Sequence, residues 1–564
     1  VVMPQMPRDG AGHAHYHDTA APPDHLYMAA YLYLRETVGA DAIVHLGTHG
    51  TQEWLPGKDR GLAADDDPFL AVGDVPVFYP YIQDNVGEAL QARRRGRAVT
   101  ISHQTPPFAP SGLYDELRDI HDLIHEHGQL DEGVVRGRIE SRIADAVIAA
   151  GMHADLGWSE AAVRERFEAF LPLLHDHLQE LARTAMPLGL HTFGKPADPD
   201  HRLATVMQQL GEPFREAVGV DAGGLSADDV SALGDTAPFA ALRRYLRERA
   251  DRTSLDQPLR DLLGRADALD AALAAPGEIE ALLAGLEGRF VAPGAGGDPI
   301  RNPEVRSGRN LHAFEPDRIP AKAAYEAGAE AFDRLVAAFR DDHGGAFPRK
   351  IAFSLWSSEA VRHLGVTEAQ VLHALGLRPV WDEAGRVRDL EIVPAAELGR
   401  PRVDVVVQVT SVYRDQFDGF MRLLADAIDR IAALDEPDNP VAANSARVAA
   451  VLQEAGLSQE EARNEANLRI FSNAPGSYGT GMPHMALASA TWDEDSALAG
   501  RFLDGTRFAY GAKAWGEASQ AANLFAEQLR GAEAAIMSRS SNLHGVLSTD
   551  HPFEFLGGLS LAVR

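Results

Sequence analysis

Ala42-Ile43-Val44-His45-Leu46-Gly47-Thr48-His49-Gly50 is the stretch on which the fold turns. An apolar run with two β-branched residues meets a glycine, which predicts a buried strand that stops in a turn. Upstream, Leu26 to Arg35 reads as a helix. Downstream, Val75-Pro76-Val77-Phe78-Tyr79 and Ala98-Val99-Thr100-Ile101 read as further strands. Alternation of strand, loop and helix over this span predicts a parallel α/β layer.

Beyond Gly112 the period changes. Leu117, Ile120, Leu123 and Ile124 fall on one helical face, and Phe167, Phe170, Leu171, Leu174 and Leu178 on another. A leucine-rich helical pattern continues to about Phe290, followed by a glycine- and proline-rich loop through Gly308-Arg309-Asn310. The α/β alternation then returns. Helices are predicted over Ala321 to Arg340, Glu359 to Leu375, Phe417 to Leu434 and Ala514 to Ala535. Strands are predicted over Lys350 to Trp356 and over the β-branched run Val403 to Val409, which suits a central parallel strand. The predicted class is multidomain α/β, with parallel-sheet layers and a helical insertion. Its expected divisions are an α/β domain over residues 1–113, a mainly helical insertion over 114–290 and an α/β domain with glycine-rich loops over 291–564.

Composition narrows the chemistry. The chain has 564 residues, 45% hydrophobic and 24% charged, with a formal net charge of -29 and no cysteine. Disulfides, thiolate metal sites and thiol nucleophiles are excluded, so a bound metal must be held by His, Asp, Glu or backbone. The acidic balance argues against nucleic acid as a partner, because a phosphate-binding surface must be basic. No apolar run has the length of a membrane span, and the expected location is cytoplasmic. Both ends read as cuts through a longer polypeptide.

The densest chemistry lies in His45-Leu46-Gly47-Thr48-His49-Gly50-Thr51-Gln52-Glu53-Trp54-Leu55-Pro56-Gly57-Lys58. Glycines and Pro56 rule out one continuous helix through it. The expected arrangement is a strand ending at His45, a glycine turn presenting His49 and a short helical turn carrying Glu53. Open α/β sheets place ligands at the carboxyl ends of their strands. Imidazole and carboxylate can ligate a divalent ion or accept protons near neutral pH. Spacing alone leaves that role open beside a locally satisfied turn histidine. Elsewhere, His121, His125 and His127, and His175 with His177, read as solvated helix faces. The tract His13, His15, His17 reads as a ragged end. Arg93-Arg94-Arg95-Gly96-Arg97 could pair bidentately with an acidic ligand, but reads first as a helix C-terminal charge cluster facing water. No Gly-x-x-x-x-Gly-Lys-Ser/Thr loop is present, so no nucleotide-hydrolysis site is expected in this chain.

With these residues in view, the sequence resembles the large subunits of the ATP-dependent tetrapyrrole metal chelatases, the family of CobN-type cobaltochelatase and magnesium chelatase H subunits. The resemblance runs through Tyr16-His17-Asp18, the His45 to Lys58 stretch, Ile101-Ser102-His103, Arg301-Asn302-Pro303 and Gly308-Arg309-Asn310. It continues through Ser411-Val412-Tyr413-Arg414-Asp415, Pro475-Gly476-Ser477-Tyr478-Gly479 and Phe555-Leu556-Gly557-Gly558-Leu559. It implies a fragment lacking both ends of longer family members. Pro56-Gly57-Lys58 and the Ser541-Asn542-Leu543-His544-Gly545 region are nearer the cobalt branch.

The resemblance implies a macrocycle-binding ligase subunit that forms nitrogen–metal bonds, inserting Co2+ into the corrin precursor hydrogenobyrinic acid a,c-diamide in cobalamin biosynthesis. Two partner subunits of the AAA+ type would hydrolyse MgATP. It implies Glu53 as base or metal-delivery carboxylate, with His49 and His45 as ligand or relay. Arg301, Arg306 and Arg309 would pair with macrocycle carboxylates. The alternatives are Mg2+ insertion into protoporphyrin IX and a non-catalytic tetrapyrrole carrier or sensor.

Overall fold

The computed structural model describes residues 1–8, 21–47, 50–58, 62–110, 113, 115–130, 133–183, 185–219, 236–311, 315–538 and 553–564. His49, the His13 to His17 tract and Ser541 to Gly545 lie outside the described residues.

Three parallel strands form the first sheet in the order β1 (Ile43–Val44), β2 (Val77–Ile82) and β3 (Ala98–His103). β1 is shorter than the apolar run suggested, although the His45 backbone N–H still donates to the Phe78 carbonyl at 2.9 Å. The helix His25–Leu32, capped by Asp24 accepting from the Tyr27 N–H, brings Tyr27 and Tyr31 into the core of this sheet beside Tyr79 and Tyr81. At the other edge, Asn310–Leu311 lies against β3. The Thr100 hydroxyl donates to Asn310 Oδ1 at 3.0 Å and accepts from the Leu311 N–H at 2.9 Å. The loop after the helical region is therefore stitched back onto the first sheet.

Between these segments the chain is largely helical, and the predicted faces are buried: Ile120 and Ile124 on the helix Asp115–Gly128, and Phe170, Leu174 and Leu178 on the helix Phe167–Arg183. A second, separate core gathers Leu203, Met207, Phe214, Leu242 and Leu263. Two histidines depart from expectation. His121 and His127 are buried, because each turns toward polar partners on neighbouring helices instead of toward solvent.

The second sheet has six strands, ordered Trp515–Glu517, Phe508–Tyr510, Ile470–Ser472, Asp404–Val409, Lys350–Leu355 and Ala534–Met537. The last four in this order run parallel, and the first two pair antiparallel at one edge. Asp404–Val409 is central and buried along its whole length, as its β-branched run predicts. Two expected helices are corrected. Glu359 to Leu375 is two helices, Ser357–His363 and Val366–Leu375, broken where Leu364 and Gly365 adopt φ of 56° and 94°. A side chain at Gly365 would meet Pro320 Cα at 2.8 Å, so close backbone approach fixes the break. Ala514 to Ala535 is strand Trp515–Glu517, short helix Leu524–Leu529 and strand Ala534–Met537; Gly531, at φ 76°, separates the last two. Helix-forming composition yields here to sheet completion.

The two sheets are tied together beside the motif. Gln416 Nε2 donates to the Gly87 carbonyl at 3.0 Å, and Arg362 pairs with Asp84 at 2.8 Å.

Candidate functional site

At the carboxyl end of β1 the chain turns and re-enters as a single 3-10 turn, Gln52–Trp54, all of it buried. This matches the short helical turn expected to carry Glu53. The turn is anchored on every side. Tyr27 Oη and Thr51 Oγ1 are hydrogen-bonded at 2.7 Å, and Gln52 Nε2 donates to the Pro68 carbonyl at 2.7 Å. Arg95 approaches from the helix Val86–Arg95. Its guanidinium donates to the carbonyls of Glu53 at 2.8 Å and Gly57 at 3.2 Å, and also to those of Leu55 and Lys58. Arg95 is fully buried, which corrects the reading of Arg93 to Arg97 as a water-facing cluster. A planar five-donor fork can satisfy several carbonyls of an irregular turn at once, and this compensates for its burial.

Glu53 is 1% exposed. Its Oε1 accepts from the Gly50 N–H at 3.1 Å, so the carboxylate folds back over the turn. Its Oε2 lies 3.3 Å, and His45 Nδ1 3.6 Å, from the point where a side chain at Gly50 would begin; Tyr79 Oη lies 2.9 Å from it. Only glycine fits there without displacing them, so carboxylate, imidazole and phenol converge on a cradle that any other residue would fill. The half-buried His45 ring is held by an edge contact to Tyr79 with centroids 5.3 Å apart, and by Tyr31 Oη at 3.3 Å from Nε2. Its Nδ1 has no hydrogen-bond partner among the described residues. Burial lowers its pKa to about 4, so the ring is neutral at physiological pH and offers a lone pair. A neutral imidazole beside a carboxylate can ligate a borderline divalent ion or pass a proton.

The structure does not bring the three arginines to this place. Arg309 lies on the segment stitched to β3, two strands away from β1, with its N–H on Ser102 Oγ at 3.0 Å. Arg306 and Arg309 line a separate cavity of about 190 Å³ with Asn302 and Glu304. Arg306 donates to the Pro303 carbonyl at 2.8 Å, and Arg301 is exposed.

The glycine-rich loop of the second sheet does reach the motif. The Tyr478 ring packs edge-on against Trp54, with centroids 4.5 Å apart. Burial, with the neighbouring Asp415 carboxylate, holds the Tyr478 hydroxyl well above its ordinary pKa, and it donates to Asp415 Oδ2. Sequence reasoning missed Arg95, Tyr31 and Tyr79 as supports of the site. Tyr79 carried a legible signal, since it stands on a predicted neighbouring strand. Nothing in the sequence distinguishes Arg95 from its neighbouring arginines.

Comparison with known proteins follows the same outline. A family model described as CobN/Magnesium Chelatase matches residues 1–564. An aerobic cobaltochelatase subunit CobN from Sinorhizobium sp is 33% identical over 97% of this chain and 47% of its own length. A chloroplastic magnesium-chelatase subunit ChlH from Oryza sativa subsp. indica is 31% identical over 95% of this chain and 42% of its own. Among solved structures, the catalytic subunit of cobaltochelatase from Mycobacterium tuberculosis superposes with a TM-score of 0.82 at 34% identity, covering 99% of this chain and 49% of that one. The chain thus spans about half the length of the curated relatives it matches.

Proposed function

The chain belongs to the CobN/magnesium chelatase family, and from that premise we propose that it is part of the macrocycle-holding large subunit of an ATP-dependent cobaltochelatase. In this reading it inserts Co2+ into a corrin precursor, hydrogenobyrinic acid a,c-diamide, in the cytoplasm. The observation that carries it is the convergence of His45 Nδ1 and Glu53 Oε2 on the point where a side chain at Gly50 would begin, at 3.6 and 3.3 Å. Insertion has two chemical demands: water must leave the ion, and pyrrolic protons must leave the ring. His45, neutral down to about pH 4, can take a coordination position from water. Glu53 can hold the cation and then accept a proton as the ring nitrogens replace it. His49, between them in sequence, completes the set as ligand or relay. Two AAA+-type partners hydrolyse MgATP, consistent with the lack of a phosphate-binding lysine loop in this sequence. Arg306 and Arg309 remain proposed contacts for macrocycle carboxylates, at a distance from the inserting centre.

Glu53→Gln in the full-length subunit is the test. The amide keeps size and hydrogen-bonding reach but loses the charge. Corrinoid binding should be retained, while insertion with purified partners slows at least about tenfold, equivalent to ~1.4 kcal/mol of barrier. Wild-type rates in a stably folded variant would remove Glu53 from the reaction. The wild type should also turn over Co2+ with corrinoid faster than Mg2+ with protoporphyrin. The reverse order would assign the magnesium branch, whose H subunits are also relatives. Macrocycle binding with no insertion of either metal would leave a carrier.

A further inference from the structure

Two groups of metal-ligand side chains lie in the helical region, outside the motif. In one, His127, Glu140 and Glu168 surround Arg136, whose guanidinium is 3.0 Å from His127 Nε2, 2.9 Å from Glu168 and 3.5 Å from Glu140. That group already contains its cation and is an ion-pair network. The other is different in kind. His121 and His125, four residues apart on the helix Asp115–Gly128, share one face, and His175 meets them from the helix Phe167–Arg183. One ring nitrogen from each lies within 4.8 Å of the other two.

We infer that His121, His125 and His175 form a binding site for a borderline divalent transition-metal ion that clamps these two helices together. Distances carry the argument. His121 Nε2 and His125 Nε2 are 3.2 Å apart. A tetrahedral ion with metal–nitrogen bonds of 2.0–2.1 Å holds its ligand atoms about 3.3–3.4 Å apart. The pair therefore already has the bite of two metal ligands, and the His175 ring nitrogen, within 4.8 Å of both, supplies the third donor. Burial grades across the site: His121 is 3% exposed, His175 is half-buried and His125 is exposed. One ligand is thus fixed by packing, and the fourth position opens to water. Three imidazoles select Zn2+, Co2+ or Ni2+ and discriminate against Mg2+ and Ca2+; the Asp176 carboxylate, 3.9 Å from His175 Nδ1, stands outside bonding range. The bound ion would tie together two helices whose packing already buries Ile120, Ile124, Phe170 and Leu174.

Co2+ is the probe, because tetrahedral Co2+ absorbs strongly in the visible while octahedral aqueous Co2+ does not. The chain carrying Glu53→Gln, which weakens the motif as a competing site, should bind one equivalent with a tetrahedral spectrum. Mg2+ in large excess should not displace it. His125→Ala, at an exposed position that folding does not require, should weaken this binding at least about tenfold and abolish the rise in Tm that Co2+ gives the parent. His175→Ala should do the same from the other helix. No tetrahedral spectrum, or a titration that His125→Ala leaves unchanged, overturns the site. In that case the 3.2 Å contact is a hydrogen bond between imidazoles.

Discussion

At the carboxyl end of β1 the chain leaves His45 Nδ1 without a hydrogen-bond partner among the described residues, beside a buried carboxylate and above a glycine. The equivalent end of the central strand Asp404–Val409 is finished differently. Thr410 caps the next helix by accepting from the Tyr413 N–H. Arg414 pairs with Asp415 at 2.7 Å and donates to the carbonyls of Asn473, Ala474 and Ser477 at 3.2, 2.7 and 3.1 Å. Both ends hold charge in places 6% exposed or less. In one, an arginine and an aspartate pair directly; in the other, imidazole and carboxylate converge above Gly50. The matched end sets the loop that presses Tyr478 onto Trp54, so a rigid strand end supports a chemically open one. Preorganising reactive groups requires such a supporting shell.

The largest effect should come from breaking the matched end. Arg414→Ala leaves Asp415 buried without its cation and frees three loop carbonyls, and should destabilise the protein by about 3–5 kcal/mol in denaturant unfolding. Arg414→Ala with Asp415→Ala should lose less than the two single changes summed, because neither charge is then left alone. A cost below about 1 kcal/mol for Arg414→Ala would mean that this end is no more closed than the other, and the contrast would collapse. Arg95→Lys sharpens the other side. An ammonium is a point charge and cannot span the carbonyls from Glu53 to Lys58. A loss of about 1–3 kcal/mol is expected, with slower insertion in the full-length subunit as Glu53 loses its footing. Unchanged stability together with unchanged insertion would show that the turn holds its shape without the clasp.

The sequence made the open end more legible than the closed one. An apolar run stopping at Gly47 announces a strand and a turn, and Glu53 falls on the short helical turn that Gly50 and Pro56 permit. Long-range partners leave no such local mark. The clasp of Arg95 onto a turn about forty residues earlier, the burial of His121 between helices and the approach of Pro320 that breaks the helix at Gly365 are all tertiary facts. Residues 514–535 failed for a related reason: alanine-rich composition favours helix only until a sheet edge offers backbone partners, here Phe508–Tyr510 and Lys350–Leu355. Arg301, Arg306 and Arg309 came from resemblance alone, and Arg306 and Arg309 line a cavity apart from the His45–Glu53 turn.

The smallest predicted effect tests whether a His45 Nδ1 without a partner among the described residues is special, by comparison with a second histidine whose pKa is also lowered to about 4. His363 ends the helix Ser357–His363, and its Nδ1 accepts from the Val366 N–H at 3.0 Å and the Gly365 N–H at 3.3 Å. Burial, with the neighbouring Arg362 charge, lowers its pKa to about 4. The folded value lies below the ordinary 6.5, so between about pH 4 and 6.5 the unfolded chain binds more protons. The contribution of His363 to stability is therefore complete above pH 6.5 and lost as pH falls through 4. Glu368, buried close by with its pKa raised to about 7, acts with the opposite sign: the folded state takes up a proton between about 4.5 and 7, favouring the fold as pH falls. The net slope of the wild type mixes both, so the informative quantity is variant minus wild type. His363→Asn retains an acceptor for the same backbone N–H groups but cannot be protonated. Relative to wild type it should gain about 1 kcal/mol between pH 7 and pH 5.5, read from urea unfolding at each pH. His45→Asn should show the same sign from burial alone, but only in the absence of Co2+, because a bound ion would keep the wild-type imidazole unprotonated. Parallel pH curves for wild type and His363→Asn would show that the ring is not held neutral, and a Co2+-independent gain for His45→Asn would show that the open end does not bind the ion.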